Sequence, residues 1–431
     1  MNTSKLLGRF LLAGLLFGFW SSAYSQAPTQ PLRASADQRG FYIGSAVAVT
    51  PFRNEPLYQD TLRRQFNIMV AENAFKWDSV HPSRTTFNFT DTDALVDFAQ
   101  ANNMKMRGHT LVWHNQLPSW LTGGGFSRDE VIAILQDHIN TLVGRYRGRV
   151  WAWDVVNEAI DDSTHQLRTN SFWYQSIGPD YVKMAFEFAR QADPDALLYY
   201  NDYSIEGMNP KSDAVYNMLG TLKGVGEPID GVGWQMHVVN GFRIQQQHQM
   251  NAMRFAGIGL DLSITEMDVR IMMPDSPAAQ QQQAVAYSDV INLCLTLPNC
   301  KALVMWGFTD KYSWIPGAVP GWGDALIYDA NYQPKPGYFA LQSALEQGVD
   351  LSPMITSASR NGKRLIVAGA RFEDGAQLLI NGEKQIKVSN DSQAPSSRII
   401  ARKSGKTVKP GDVLQVMNPD GLLSNELTYT G

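Results

Sequence analysis

The sequence predicts an α/β chain: a closed parallel (β/α)8 barrel of the TIM type, followed by a small all-β sandwich of immunoglobulin-like character. Three observations predict it. Short apolar runs alternate with longer amphipathic segments eight times between residues 41 and 347. Polar residues collect at the C-terminal ends of those runs. Beyond residue 350 the composition shifts to short alternating runs separated by turn signals.

The apolar runs are residues 41–48, 68–73, 104–113, 151–158, 197–203, 232–237, 260–268 and 302–310. Runs of this length with little alternation suit strands buried on both faces, as parallel strands are. The segments between them carry helical spacing, as in Ala94-Leu95-Phe98 and Val182-Ala185-Phe186-Ala189. Regular strand–helix alternation closes most simply into a barrel. An open doubly wound sheet is the alternative. Its phosphate loop would follow the first strand, and Ile43-Gly44-Ser45-Ala46-Val47 does not match that G-x-G-x-x-G pattern.

Residues 351–431 form the second module. They contain two aromatics, Phe372 and Tyr429, and no Trp. Runs such as 364–368 and 377–380 alternate with Asn361-Gly362, Asn381-Gly382, Pro410-Gly411 and Asp420-Gly421, the pattern of a small β-sandwich. The ending Val416-Met417-Asn418-Pro419-Asp420-Gly421 with Ser424-Asn425-Glu426-Leu427 resembles immunoglobulin-like IPT/TIG modules. Arg398, Arg402, Lys403, Lys406 and Lys409 form a basic cluster, read first as a solvated face of a spacer and second as a site for acidic substituents. The Gln run at 280–283 reads as solvated helix or loop.

The N-terminus reads as a signal peptide over 1–25, with Lys5 and Arg9 before an apolar run and small residues near Ala23-Tyr24-Ser25. Export to the periplasm or outside the cell, with no membrane attachment after cleavage, is the expectation. Residues 26–37 read as a polar linker before the barrel domain at 38–348. The two cysteines, Cys294 and Cys300, are placed to close a short disulfide loop in an oxidising compartment, and alone they make no structural zinc site. A net charge of -4 gives no ground for nucleic-acid binding. The 11 Trp exceed what folding needs, and indole faces are what sugar rings stack on. About half of them are expected in the core.

Two strand-end carboxylates have contrasting neighbourhoods. Glu158 ends Trp153-Asp154-Val155-Val156-Asn157, with Asp161-Asp162 just beyond. Apolar surroundings and nearby negative charge both raise a carboxyl pKa, as a general acid requires. Glu266 ends Leu262-Ser263-Ile264-Thr265, and His237 at the neighbouring strand end is placed to hold it ionised, with Asp268 orienting the imidazole. One protonated and one ionised carboxyl is the arrangement of a retaining glycosidase. From spacing alone a second reading stands, in which both are strand-end carboxylates in salt bridges.

The segments Trp153-Asp154-Val155-Val156-Asn157-Glu158, Ile264-Thr265-Glu266-Met267-Asp268 and Arg107-Gly108-His109-Thr110-Leu111-Val112-Trp113-His114 resemble glycoside hydrolase family 10, the endo-xylanases. So do Gly233-Trp234-Gln235-Met236-His237 and the stretch from Trp306 to Trp314. The resemblance implies Glu158 as acid/base and Glu266 as nucleophile. It implies Glu72, Asn73 and Lys76 as the glycone-side set, with His109 and Trp113 lining the subsite of cleavage. It implies Asn157 on the sugar 2-hydroxyl, Gln235 and His237 against the carboxylates, and Trp306 and Trp314 as indole walls that crowd a C6 hydroxymethyl. Met267 stands where Leu is commoner, a volume-conserving change.

The expected activity is endo-1,4-β-xylanase with retention of configuration, needing no metal and no organic cofactor. The expected partners are xylan and xylo-oligosaccharides, bound by a monomer. A β-1,4-glucanase or mixed cellulase/xylanase on the same barrel is the alternative. A catalytically dead carbohydrate-binding barrel is a third reading, disfavoured because both carboxylates are kept.

Overall fold

A computed structural model describes residues 30–347, 353–419 and 421–431. The signal-peptide expectation for residues 1–25 lies outside the described residues. Eight strands carry the apolar runs: β1 Tyr42–Val47, β2 Ile68–Ala71, β3 Lys105–Val112, β4 Ala152–Asn157, β5 Leu197–Asp202, β6 Gly231–Trp234, β7 Asp261–Met272 and β8 Cys300–Met305. Each pairs in parallel with the next, and β8 pairs in parallel with β1, so the sheet closes into a barrel.

Side-chain alternation explains the closure. Ile43 and Val47 of β1, Met69 and Ala71 of β2, and Leu303 and Met305 of β8 belong to the main core under the helices. Their alternate neighbours Ala46, Ile68, Val70, Ala302 and Val304 form a separate cluster beneath Trp306, filling the lumen. A period of two along each strand thus supplies both layers. The lumen also buries a charge pair, Arg107 Nη2 to Asp154 Oδ1 at 2.5 Å, with both side chains at 2% exposure or less. Leaving either charge unpaired there would cost about 3–5 kcal/mol.

Eight helices follow the eight strands: α2 Pro56–Gln65, α3 Thr90–Ala101, α4 Arg128–Arg145, α5 Tyr181–Ala192, α6 Pro210–Gly224, α7 Gln246–Gly257, α8 Pro277–Thr296 and α9 Pro336–Gln347; the helix before β1 is α1, Leu32–Gln38. Their starts are set by local chemistry. Proline opens α2, α6 and α8, where its missing N–H costs nothing. Ser127 and Glu130 form a reciprocal capping box on α4, and Asn209 accepts from Ser212 N at 2.9 Å on α6. In α5 the buried positions Val182, Ala185, Phe186 and Ala189 make the expected inward stripe.

Four expectations are corrected. Residues 26–37 are not a linker throughout: α1 occupies 32–38, with Leu32 and Ala36 fully buried and Leu32 N donating to Gln65 Oε1. The sixth run is broken. After β6, Met236 takes φ +62°, and His237–Val239 pairs separately with β7. Non-glycine residues rarely adopt that conformation, so the break was not legible in an apolar pattern. The eighth run ends sooner, at Met305, which leaves Trp306 on the rim. Gln283, in the run read as solvated, is fully buried, and its amide donates to Val269 O and Asp324 O.

The C-terminal residues form two four-stranded antiparallel sheets. One contains Met354–Asn361, Arg364–Ala370, Arg398–Ala401 and Val388–Asn390; the other contains Glu383–Lys384, Gln377–Ile380, Val413–Met417 and Leu427–Thr428. Leu365, Val367 and Ile399 of the first share one core with Leu378, Leu414 and Val416 of the second. Cys294 and Cys300 are joined as a disulfide between the end of α8 and the start of β8. Among the described residues no helix is long and apolar enough to cross a membrane.

Candidate active site

The C-terminal ends of the barrel strands open into a cleft of about 570 Å³. Every residue expected to touch substrate lines it, from Glu72, Asn73 and Lys76 through His109, Trp113 and Asn157 to Gln235, His237, Trp306 and Trp314, and both Glu158 and Glu266 face it. Trp77, Trp153, Trp173 and Trp234 are core instead, each at 2% exposure or less.

Glu158 follows β4 with φ +55°, a left-handed backbone that costs a non-glycine residue roughly 1–3 kcal/mol. Its Oε2 accepts from Trp113 Nε1 at 2.7 Å and its Oε1 from Gln235 Nε2 at 3.0 Å. The adjacent acidic pair does not supply the free negative field that the sequence suggested. Asp161 bridges to Arg168 at 3.2 Å and Asp162 to Lys211 at 2.8 Å, so their charge is largely offset. Among the described residues, no Lys, Arg or His lies within ion-pair distance of the Glu158 carboxyl.

Glu266, on β7, is 5% exposed and sits in the opposite environment. Its Oε1 accepts from Asn201 Nδ2 at 2.7 Å, and His237 Nε2 lies 3.3 Å from its Oε2. Burial alone would raise this carboxyl, but the imidazoles of His109 and His237 outweigh burial and hold it below its ordinary value. Burial disfavours the His237 imidazolium as well. Asp268 and Glu266 overcome that, and His237 is pushed up to about 10. At neutral pH His237 is therefore a cation between two carboxylates. Asp268 Oδ2 takes His237 Nδ1 at 2.8 Å and also Trp314 Nε1 at 2.8 Å, so one carboxylate fixes an imidazole and an indole wall together.

This arrangement gives a pH prediction with a definite sign. The imidazolium favours ionised Glu266, so His237→Asn should raise the Glu266 pKa and move the acid limb of the kcat/KM profile to higher pH. An acid limb left in place would show that the imidazole does not set this ionisation.

On the other side of the cleft, Lys76 Nζ donates to Asn73 Oδ1 at 2.9 Å and lies 5.0 Å from the Trp113 ring centre. Burial lowers the Lys76 pKa and raises that of Glu72. His109 binds Asp154 at 3.0 Å and meets the Trp306 ring edge-on at 5.2 Å.

Asn201 is one of the polar strand ends legible in the sequence, at the end of the fifth run, but its role was not: in the fold it links the two carboxylates. Asn201 Nδ2 donates to both Glu266 Oε1 and Asn157 Oδ1, while Gln235 Nε2 donates to both Asn157 Oδ1 and Glu158 Oε1. Thr265 Oγ1 saturates Asn201 from the other end at 2.6 Å. Gly233 makes room for this chain: a Cβ there would lie 2.2 Å from Asn201 Oδ1 and 2.8 Å from Thr265 Cγ2. The available signal was a polar amide at the end of an otherwise apolar strand facing a glycine-flanked one. Gln116, Tyr203, Ser204 and Arg270 also line the cleft and carried no sequence signal. Among the described residues no group of three or more His, Cys, Asp or Glu is placed to hold a metal ion.

Comparison with known proteins gives the same frame. The model of glycosyl hydrolase family 10 matches residues 31–344. Endo-1,4-beta-xylanase B of Thermotoga neapolitana is 46% identical over 338 residues, covering 77% of this chain and 96% of that protein. Endo-1,4-beta-xylanase 1 of Humicola insolens is 37% identical over 349 residues, covering 80% and 79%. Among solved structures, xylanase 10B of Thermotoga petrophila RKU-1 in complex with xylobiose superposes with a TM-score of 0.72 at 46% identity, covering 74% of this chain and 98% of that one.

Proposed function

The chain belongs to glycosyl hydrolase family 10, and on that premise we propose that it is a secreted endo-1,4-β-xylanase acting with retention of configuration. One observation carries the mechanism. Two carboxyls face one cleft through a shared amide chain, yet only Glu266 is pinned by an imidazolium. Glu266 is the ionised nucleophile and Glu158 the acid/base.

The reaction has two steps. Glu266 attacks the anomeric carbon as Glu158 gives its proton to the departing glycosidic oxygen, leaving a xylosyl ester on Glu266. Glu158, now a carboxylate, takes a proton from water, which attacks the same carbon and frees Glu266. Two displacements restore the starting configuration. Asn157 holds the sugar 2-hydroxyl, a bond that strengthens as positive charge develops on the ring. Glu72, Asn73 and Lys76 bind the glycone sugars, and His109 and Trp113 line the subsite of cleavage.

Trp306 and Trp314 support xylose over glucose, since indole walls over the reacting sugar leave little room for a hydroxymethyl at C5. The test is product chromatography on xylohexaose and cellohexaose. Xylohexaose should be cut internally and cellohexaose at least tenfold more slowly, a ratio of the size steric exclusion supplies. Comparable rates would favour the glucanase reading.

The other assignments in this proposal rest on sequence: export by the N-terminal segment, a monomer in solution, no nucleic-acid partner, and an IPT/TIG-type identity for the C-terminal module.

A further inference from the structure

The two parts of the chain carry opposite charge. Residues 31–347 hold 24 Lys/Arg against 33 Asp/Glu, whereas residues 351–431 hold 11 against 7. The overall charge of -4 conceals this division. The basic cluster in the second module also differs from the one read along the sequence. Arg398 is removed from it by an ion pair to Asp391 at 3.1 Å. The fold supplies replacements.

Three segments distant in sequence meet around Ser404. Gly405 N donates to Lys363 O at 3.2 Å, Arg402 N to Lys387 O at 3.2 Å, and Ser404 Oγ to Gln385 Oε1 at 3.0 Å. Lys363, Lys384, Lys387, Arg402, Lys403 and Lys406 are thereby gathered at one end of the module, all exposed. None of the six has an ion-pair partner among the described residues. Glu383 is the carboxylate that these segments contain.

The module offers no stacking platform for neutral sugars. Its aromatics, Phe372 and Tyr429, are 3% and 4% exposed and belong to its core. Recognition at this surface therefore has to be electrostatic. The same lack of exposed rings disfavours single-stranded nucleic acid, whose bases require them. We propose that the six cations form a docking surface for the carboxylates of acidic polysaccharide, in this enzyme xylan bearing uronic acid substituents. The choice of xylan rests on the function proposed above. An acidic barrel repels such a polymer at long range, and a basic module in the same chain offsets that repulsion while raising the local substrate concentration.

The test uses the full chain carrying Glu266→Ala, so that polymer survives the binding measurement. Affinity electrophoresis through glucuronoxylan, neutral xylan and polygalacturonate is compared with flotation on anionic phospholipid vesicles. Glucuronoxylan and polygalacturonate should retard the chain at low salt. That retardation should weaken roughly tenfold in 0.5 M salt, where exposed charges are screened within a few ångströms. Lys384→Glu, Lys387→Glu, Lys403→Glu and Lys406→Glu together should weaken it as much. These exposed substitutions, placed in the chain with Glu266 intact, should leave kcat/KM on xylotetraose unchanged, which reports the barrel, and the circular dichroism and melting of residues 351–431 unchanged, which report the module that has its own core. Equal retardation by neutral xylan, an unaffected quadruple variant, or binding to vesicles but not to acidic glycan would each overturn the proposal. Failure of the xylanase reading would appear separately, as uncut xylotetraose with polygalacturonate binding intact.

Discussion

Glu266→Ala should lower kcat/KM on xylo-oligosaccharides by about 10⁴-fold or more, because no other group can form the covalent intermediate. The fold should survive. The carboxylate is held by side chains rather than by backbone, and its loss leaves the His237–Asp268 pair, Asn157 and Thr265 to keep their neighbours in place. The space left beneath the anomeric carbon admits a small anion. Azide should restore part of the rate on an aryl xylobioside and give the glycosyl azide of inverted configuration, since one displacement then replaces two. Near-normal turnover without azide, in a variant that melts like the parent, would remove Glu266 from the mechanism.

Glu158→Ala should have the second largest effect, and its size should depend on the leaving group. On xylo-oligosaccharides, whose sugar alkoxide needs a proton to depart, kcat/KM should fall by about 10²- to 10⁴-fold. On an aryl xylobioside with an acidic phenol, departure needs little help, so the first step should stay fast. The second step lacks its base and becomes limiting, so kcat falls and KM falls with it. A uniform loss on both substrates would mean that Glu158 acts in binding rather than in proton transfer.

The strands were legible because parallel strands buried on both faces need unbroken apolar runs, and few other elements do. The principal catalytic candidates were legible because a barrel collects polar strand ends on one face. What escaped the reading depends on contacts between segments. Asn201 is one amide on one strand until the barrel sets β4, β5, β6 and β7 in order, where it bonds Asn157 of the adjacent β4 and reaches past Gly233 of β6 to Glu266 on β7. The break at Met236 reflects one dihedral angle, which hydropathy does not encode. Gln283 reads as solvated because its burial is repaid by two carbonyls far along the chain. Asp161 and Asp162 suggested a negative field only while Arg168 and Lys211 were unplaced. The basic surface of the C-terminal module has the same origin, since Lys363, Lys384 and Arg402 become neighbours only in the folded sandwich.

If Glu266 is esterified by the sugar while Glu158 manages the protons, both halves are visible in one measurement. The Glu158→Ala variant is incubated with an activated aryl xylobioside, quenched in acid, digested, and mapped by mass spectrometry. With deglycosylation slowed, a xylobiosyl adduct should accumulate on the peptide containing Glu266 and on no other. Turnover of the aryl substrate without any adduct, or an adduct on a different residue, would contradict the account.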